Sequence, residues 1–238
     1  YFSFQIYCDF SGYSDIAIGT AKLFGIELMS NFKFPYFSRD FGEFWRRWHI
    51  SLSSWFRDYL YIPLGGSKRG RWISIRNIFV IFVVSGFWHG ANWTFIIWGL
   101  THSLFFLPLF LIGKNRQYTT NVVSENNWFP SIKELFQMGI TFISTTIAWV
   151  FFRSESISSG FEYLNIIVSK FSIPDGQRAG ILFVFVLVIF DWSMRNNERN
   201  PISYKNKYFR YLVYLFMSYL VFAHFKLINL SQFIYFQF

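Results

Sequence analysis

The hydrophobic pattern of the chain is dominated by a long uncharged run. Residues 78–113 contain no Asp, Glu, Lys or Arg. A single helix of that length would rise about 54 Å, whereas the hydrocarbon core of a bilayer is about 30 Å thick. The run must therefore break, and the segment 85–92 (SGFWHGAN) places two glycines and three polar side chains in its middle. This pattern predicts one membrane helix over 73–88 and a second over 92–112.

Other apolar segments extend this pattern along the chain. The segment 135–152 is uncharged, whereas the first segment is unusual because it carries Asp9 and Asp15. Apolar segments of this kind indicate membrane helices rather than strands, since a span needs many consecutive apolar residues. The predicted fold is an all-α, polytopic transmembrane helical bundle, with further helices at 1–27, 135–152, 179–194 and 209–226.

Residues 41–60 follow a different pattern, in which apolar and mostly aromatic side chains recur every three or four positions. Trp and Arg at this density are typical of a helix that lies at the headgroup level of a bilayer. Pro63 and the pair Gly65-Gly66 end the segment. We therefore predict an interfacial amphipathic helix over 41–60, and a surface helix without any chemical role is the simpler alternative. Its apolar stripe consists of Phe41, Trp45, Trp48, Leu52, Trp55 and Tyr59.

The composition excludes an ordinary soluble domain. Hydrophobic residues make up 53% of the 238 residues and charged residues only 15%, whereas soluble domains carry about 25% charged residues. A single cysteine excludes a disulfide-rich secreted scaffold. The net charge of +9 would suggest nucleic-acid binding in a soluble protein. Without a recognisable nucleic-acid-binding motif, it indicates basic membrane loops instead.

The basic residues are unevenly distributed among the predicted loops. The loop 60–77 carries a net charge of +4, 191–210 carries +3, 113–134 carries +1 and 153–178 is neutral. Because cytoplasmic loops are enriched in Lys and Arg, we expect the three basic loops in the cytoplasm and 153–178 on the opposite side. The chain begins with Tyr1 inside an apolar segment, so we expect it to be the C-terminal portion of a longer protein.

His89 is the first candidate for chemistry because it lies at the break in the uncharged run, with Ser85 and Asn92 nearby. Irregular backbone at membrane depth occurs only where it is buried in protein or lines a water-filled cavity. A neutral imidazole in such a cavity could act as a general base. The alternative is a packing histidine bonded to a backbone carbonyl, and the local sequence favours neither.

His49 is the second candidate, since it follows the basic pair Arg46-Arg47. Two guanidinium groups beside an imidazole could bind an anionic group such as a phosphate, although a solvated contact with lipid headgroups is the simpler alternative. His102 and His224 are expected to be packing residues. The sequence lacks metal-ligand spacing, a phosphate-binding glycine loop and a Gly-x-Ser-x-Gly nucleophile elbow, which excludes many enzyme classes.

Two long motifs resemble the signature of membrane-bound O-acyltransferases. They are residues 40–66 (DFGEFWRRWHISLSSWFRDYLYIPLGG) and residues 85–93 (SGFWHGANW). The opening segment 9–15 (DFSGYSD) and the closing segment 233–238 (FIYFQF) are similar to the bacterial branch that O-acetylates alginate and related polysaccharides. The resemblance implies that residues 1–238 are the C-terminal part of a single membrane domain of this family, whose N-terminal half is absent.

The resemblance implies a catalytic role for His89 and a second required position at His49. Family members enclose a tunnel in which a cytoplasmic acyl donor meets an acceptor from the other side of the membrane. The expected donor is acetyl-CoA or another acyl thioester, and no metal, bound cofactor or nucleic acid is expected. The expected substrate contacts are Arg46, Arg47, Ser85 and Asn92.

The expected reaction is transfer of an acyl group, in the first instance acetyl, to hydroxyls of a cell-surface polysaccharide such as alginate. It implies a multi-pass protein of the bacterial inner membrane. Its partners would be membrane lipid, the acyl donor, the polysaccharide acceptor and a periplasmic or extracellular acetyltransfer protein. Two alternatives stay open: D-alanyl transfer to teichoic acid by the same histidines, and a non-enzymatic polysaccharide export subunit whose polar residues line a path.

Overall fold

The computed structural model describes residues 1–170, 179–197 and 206–224, which form helices and loops and contain no β-strand. The all-α prediction is therefore confirmed for this part of the chain. The closing motif 233–238 and the last residues of the predicted helix 209–226 lie outside the described residues. The α-helices are α1 (Phe2–Leu23), α2 (Phe41–Arg47), α3 (Ile50–Phe56), α4 (Arg71–His89), α5 (Trp93–Leu111), α6 (Ile132–Arg153), α7 (Ile157–Ser169), α8 (Ala179–Met194) and α9 (Lys207–His224).

Every predicted membrane segment contains a helix, and the central ones have the dimensions of a span. Within the described residues, α4, α5 and α6 are long and apolar enough to cross a membrane. α8 is apolar but shorter, and α1 includes the charged residues Asp9, Asp15 and Lys22. Length and composition therefore support three of the predicted spans directly.

The break predicted in the uncharged run separates α4 from α5. His89 is the last residue of α4, and the side-chain oxygen of Asn92 caps α5 by accepting the N–H of Thr94 at 3.1 Å. The two helices then pack closely. A Cβ on Gly86 would collide with the carbonyl oxygen of Phe95, and one on Gly99 would meet the opposite helix in the same way. Small residues allow this approach of two backbones in membrane proteins.

Contacts between the loops agree with the side assignment made from charge. Arg71, at the start of α4, donates a hydrogen bond to the carbonyl of Leu111 at the end of α5, at 2.9 Å. Arg195, after α8, donates to the carbonyl of Ser124 in the α5–α6 loop, also at 2.9 Å. Asn92, at the other end of the helices, donates to the carbonyl of Glu155 at 3.3 Å. The described parts of the three basic loops thus lie on one side, while their cytoplasmic location stays a prediction.

The prediction of one continuous helix over 41–60 is wrong. The chain leaves the helical conformation at Trp48, and His49 adopts a left-handed conformation with φ +43° before α3 begins. The aromatic stripe is divided as a result. Trp48 is only 4% exposed and belongs to the core, whereas Trp55 and Tyr59 are 51% and 69% exposed and stack on each other. Only the second half of the segment therefore has the exposed aromatic surface of an interfacial helix.

The core that receives α2 is mostly aromatic. His102 of α5 is fully buried there, and its ring lies 4.9 Å from that of Trp45 and 5.0 Å from that of Trp98. The packing role expected for His102 is therefore confirmed. Phe44 and Trp149 complete the same cluster, which joins α2, α5 and α6. This cluster draws α2 away from the surface, because so much aromatic area gains more from mutual burial than from water.

α7 lies in the segment 153–178, which the hydrophobic pattern assigns to a loop. The hydroxyl of Ser156 accepts the N–H of Ser159 at 3.2 Å, and the hydroxyl of Ser159 accepts the N–H of Ser156 at 3.1 Å. This is a capping box with serine in the position that usually holds Glu or Gln. The usual sequence signature of a helix start is therefore missing here.

Candidate active site

One cavity of about 900 Å³ brings the two candidate histidines together. His49 and His89 both line it. α4 contributes one face, since its lining residues follow helical spacing from Ile78 to His89 over a rise of about 16 Å. α5 contributes Trp98 near His89 and Phe110 at the opposite end. The cavity therefore extends along α4 and α5, from the α5–α6 loop to the end of α4.

His89 has aromatic neighbours around its ring. The centroid of its imidazole lies 5.1 Å from the ring of Trp98 and 5.1 Å from that of Phe152, both nearly perpendicular to it. Trp88, the preceding residue, lies 5.0 Å away. Apolar rings on these sides restrict water around the imidazole, while its position in the lining leaves it in contact with the cavity. This arrangement suits a base that acts on a substrate within the cavity.

His49 lies close to Trp88, the residue that precedes His89. Its ring is 6.3 Å from that of Trp88 and 4.6 Å from that of Phe10 on α1. The hydroxyl of Ser51 is 3.5 Å from its Nδ1. Burial lowers the pKa of His49 to about 4, so its imidazole is neutral at pH 7. Trp88 therefore lies between two histidines that face one cavity, and His49 is held in its neutral form.

Arg46 and Arg47 line the cavity, but both also hold the protein together. Arg46 donates to the carbonyl oxygens of Asn115 and Tyr118 at 3.0 and 2.9 Å. Arg47 forms an ion pair with Glu43 at 2.9 Å. Most of the N–H groups of these two arginines are thus directed at carbonyl and carboxylate groups of the protein. Their expected contact with substrate stays a prediction.

Ser85 and Asn92 are placed differently by the structure. Ser85 lines the cavity one helical turn before His89, so both side chains face the same space. Asn92 is not among the described residues that line the cavity, because its side-chain amide caps α5 and binds the carbonyl of Glu155. The structure therefore gathers His49, His89, Ser85 and the two arginines, and it leaves Asn92 at the adjacent helix turn.

A buried ion-pair network beside the cavity was not foreseen from the sequence. Glu43 is 1% exposed and lies between Arg39, at 3.0 Å, and Arg47, at 2.9 Å. Arg39 also pairs with Glu134 at the start of α6, at 3.3 Å. The network links α2 to α6 and fixes the segment that carries His49. The spacing of four residues between Arg39, Glu43 and Arg47 is the signal that could have revealed it.

The described residues contain no cluster of three His, Cys, Asp or Glu side chains that could hold a metal ion. What the cavity offers is a pair of imidazoles, a serine hydroxyl and a basic lining. Its cations are Lys33, Arg46, Arg47, Arg57, Arg116 and Arg195, and Glu125 is the only acid among the described lining residues.

Comparison with known proteins identifies the family. The model of the membrane-bound O-acyltransferase family matches residues 1–149, which include both histidines and the whole of α4 and α5. The chain belongs to this family. As in other members of the membrane-bound O-acyltransferase family, it is a multi-pass membrane protein, consistent with its apolar helices.

The names of the curated relatives describe acyl transfer to alginate, peptidoglycan and teichoic acid. A probable alginate O-acetylase of Pseudomonas aeruginosa is 37% identical over 210 residues, which cover 84% of this chain and 38% of the relative. A peptidoglycan O-acetyltransferase of Helicobacter pylori is 44% identical, covering 68% and 29% respectively. A teichoic acid D-alanyltransferase of Bacillus subtilis is 34% identical, covering 55% and 33%. The chain thus spans 38% or less of each of these relatives.

Proposed function

We propose that this chain carries the catalytic part of a bacterial inner-membrane O-acyltransferase. The enzyme would move an acyl group, in the first instance acetyl, from a cytoplasmic thioester towards hydroxyls of a cell-surface polysaccharide. The observation that carries the proposal is the single cavity lined by His49 and His89, which extends to the basic α5–α6 loop. The names of the relatives, which mention alginate and peptidoglycan, support a polysaccharide acceptor.

His89 is the proposed general base. A hydroxyl has a pKa far above 7, so it attacks a thioester efficiently only if a base removes its proton in the transition state, an effect worth about 10²–10⁴-fold. The acceptor oxygen forms a bond to the carbonyl carbon while the imidazole of His89 takes the proton. The carbon–sulfur bond then breaks, and the rest of the donor leaves as a thiolate that takes the proton back from the imidazolium of His89. The surrounding aromatic rings of Trp98 and Phe152 limit water that would hydrolyse the thioester.

The basic end of the cavity is the proposed entrance for the donor. Acyl thioesters in cells carry phosphate groups, and the excess of lining arginines over acids attracts an anion to this end. His49 follows α2, whose Arg46 binds the α5–α6 loop at this end of the cavity, and it is the proposed second required position. Acetyl-CoA is the first donor to test, and a periplasmic or extracellular acetyltransfer protein is the proposed partner that completes delivery to the polymer.

The decisive experiment is the substitution His89→Ala in the whole protein. We expect acyl transfer to fall by about two to four orders of magnitude, because a base acting in the transition state is lost. Acetate and D-alanine released by alkali from the purified envelope polymers would be measured in cells with equal amounts of each variant. Release of D-alanine in place of acetate would favour the second candidate, which the similarity to teichoic acid D-alanyltransferases supports.

His102→Phe is the matched control for His89→Ala. Neither ring nitrogen of His102 has a hydrogen-bond partner among the described residues, and its neighbours are aromatic, so phenylalanine preserves the ring packing. We expect this variant to retain most of its activity. Near-normal acyl content with His89→Ala would instead contradict the catalytic role and favour a polysaccharide export subunit.

A further inference from the structure

His49 has a backbone conformation that is unusual for its residue type. Its φ of +43° and ψ of +58° lie in the left-handed region, which is costly for residues other than glycine, asparagine and aspartate. His49 also occupies the N-cap position of α3, yet its side chain makes no capping hydrogen bond. The first N–H groups of a helix need acceptors from elsewhere. Something other than His49 must therefore supply them.

Asn31 supplies both acceptors from a distant part of the sequence. Its backbone carbonyl accepts the N–H of Ile50 at 3.0 Å, and its side-chain Oδ1 accepts the N–H of Ser51 at 3.2 Å. A second backbone contact lies on the other side of His49, where Lys33 donates its backbone N–H to the carbonyl of Arg47 at 3.0 Å. The segment 31–33 thus runs beside the turn that contains His49 and bonds to both sides of it.

α1 contacts both Asn31 and His49. The side-chain Nδ2 of Asn31 donates to the hydroxyl of Ser14, which is buried, at 3.2 Å. Phe10, one helical turn earlier on α1, packs its ring edge-on against the imidazole of His49 at 4.6 Å. One face of α1 therefore supports both the residue that caps α3 and the ring of the histidine in the cavity.

We propose that Asn31 is a positioning residue for His49. It caps α3 in place of the histidine, which leaves the imidazole free to face the cavity while the backbone stays in its left-handed turn. This inference rests on the proposed function, because it assumes that His49 contributes to acyl transfer. Asn31 does not line the cavity itself, so it acts through His49 rather than by contact with substrate.

The substitution Asn31→Ala tests this role, since it removes the side-chain bonds to Ser51 and Ser14. We expect acyl transfer to fall about 10–100-fold, because small displacements of a catalytic group have effects of that size. Asn31→Asp keeps an acceptor for the N–H of Ser51, and aspartate is a good cap. We therefore expect it to restore most of the activity when the two variants are compared at equal protein level.

Two comparisons make the result decisive. Asn77→Ala is the matched control, because Asn77 is a fully buried amide that binds the carbonyl of Gly66 at 3.2 Å away from the cavity lining. We expect it to keep far more activity than Asn31→Ala at equal protein level. In a His49→Ala background, Asn31→Ala should reduce the remaining activity no further, since its effect passes through His49.

The outcomes separate this inference from the proposed function. If the wild-type protein transfers no acyl group, the proposed function itself fails. If the wild type transfers and His89→Ala does not, but Asn31→Ala matches the wild type, only the positioning role is overturned. Equal losses with Asn31→Ala and Asn31→Asp would also overturn it, because the retained cap would then have no effect.

Discussion

At the scale of single residues, burial determines the protonation state of His49. His49 lies between two short helices and outside the spanning ones, and burial lowers its pKa to about 4 from an ordinary value near 6.5. The imidazole can therefore accept a proton at neutral pH but holds it weakly. Neighbouring arginines are largely occupied by carbonyl groups and by Glu43, so their main effect on this site is structural.

The lowered pKa of His49 predicts a pH dependence of stability. The imidazole of His49 binds a proton below about pH 6.5 in the unfolded chain, whereas in the folded chain it binds one only below about pH 4. The free energy of unfolding should thus decrease as the pH falls through this window, by up to about 1.4 kcal/mol per pH unit. Thermal unfolding in detergent would measure this between pH 7 and 5. His49→Asn, which tolerates the left-handed turn, should show a weaker dependence, and an unchanged one would contradict the assignment.

At the scale of elements, the α4–α5 hairpin determines the shape of the cavity. The helices approach through Gly86 and Gly99, where a Cβ would collide with a carbonyl oxygen of the opposite helix. This approach places the lining faces of α4 and α5 side by side. α2 then packs across the aromatic cluster and brings His49 to the same space. The geometry of the site thus depends on helix packing as much as on the histidines.

Gly99→Ala tests the close approach of α4 and α5. We expect it to destabilise the protein by about 1–3 kcal/mol, because the added methyl group meets rigid backbone at Phe82. Gly139→Ala is the matched control within α6, since a Cβ there has no atom within 4 Å. Alanine favours a helix over glycine by about 1 kcal/mol, so the control should be neutral or stabilising. Melting temperatures in detergent would give the comparison, and equal effects would contradict close packing.

At the scale of the whole molecule, the distribution of charge predicts which side of the membrane each loop occupies. The loops at 60–77, 113–134 and 191–197 lie together through the contacts of Arg71 and Arg195. Their positive charge predicts a cytoplasmic location. The basic end of the cavity would then face the compartment that contains acyl thioesters, and His89 would lie towards the opposite side.

Cysteine labelling in spheroplasts tests this orientation. The native Cys8 is exposed and would first be replaced by serine. A single cysteine at Ser67 should stay unlabelled by a membrane-impermeant thiol reagent until the membrane is opened, whereas one at Ser158 should be labelled at once. Both positions are exposed in the structure. The reverse pattern would invert the topology and move the donor entrance to the outer side.

The sequence by itself determined the features that depend on local periodicity. The uncharged run required a break, and the break lies beside His89 as expected. The apolar segments form helices, and the charge of the loops agrees with their grouping on one side. The two histidine motifs indicated the family, which the match over residues 1–149 shows. These features need no knowledge of distant contacts, because chain length, helix rise and side-chain polarity fix them.

Tertiary structure alone decided how the pieces of the site meet. The spacing of aromatic residues over 41–60 predicted one helix, but the hydrogen bonds of Asn31 and the aromatic core turn the chain at His49 instead. Local sequence could not show that Arg46 binds the carbonyls of a loop about seventy residues away, or that the side chain of Asn92 binds the distant carbonyl of Glu155 rather than lining the cavity. Such outcomes depend on which distant groups come within hydrogen-bonding range once the helices pack.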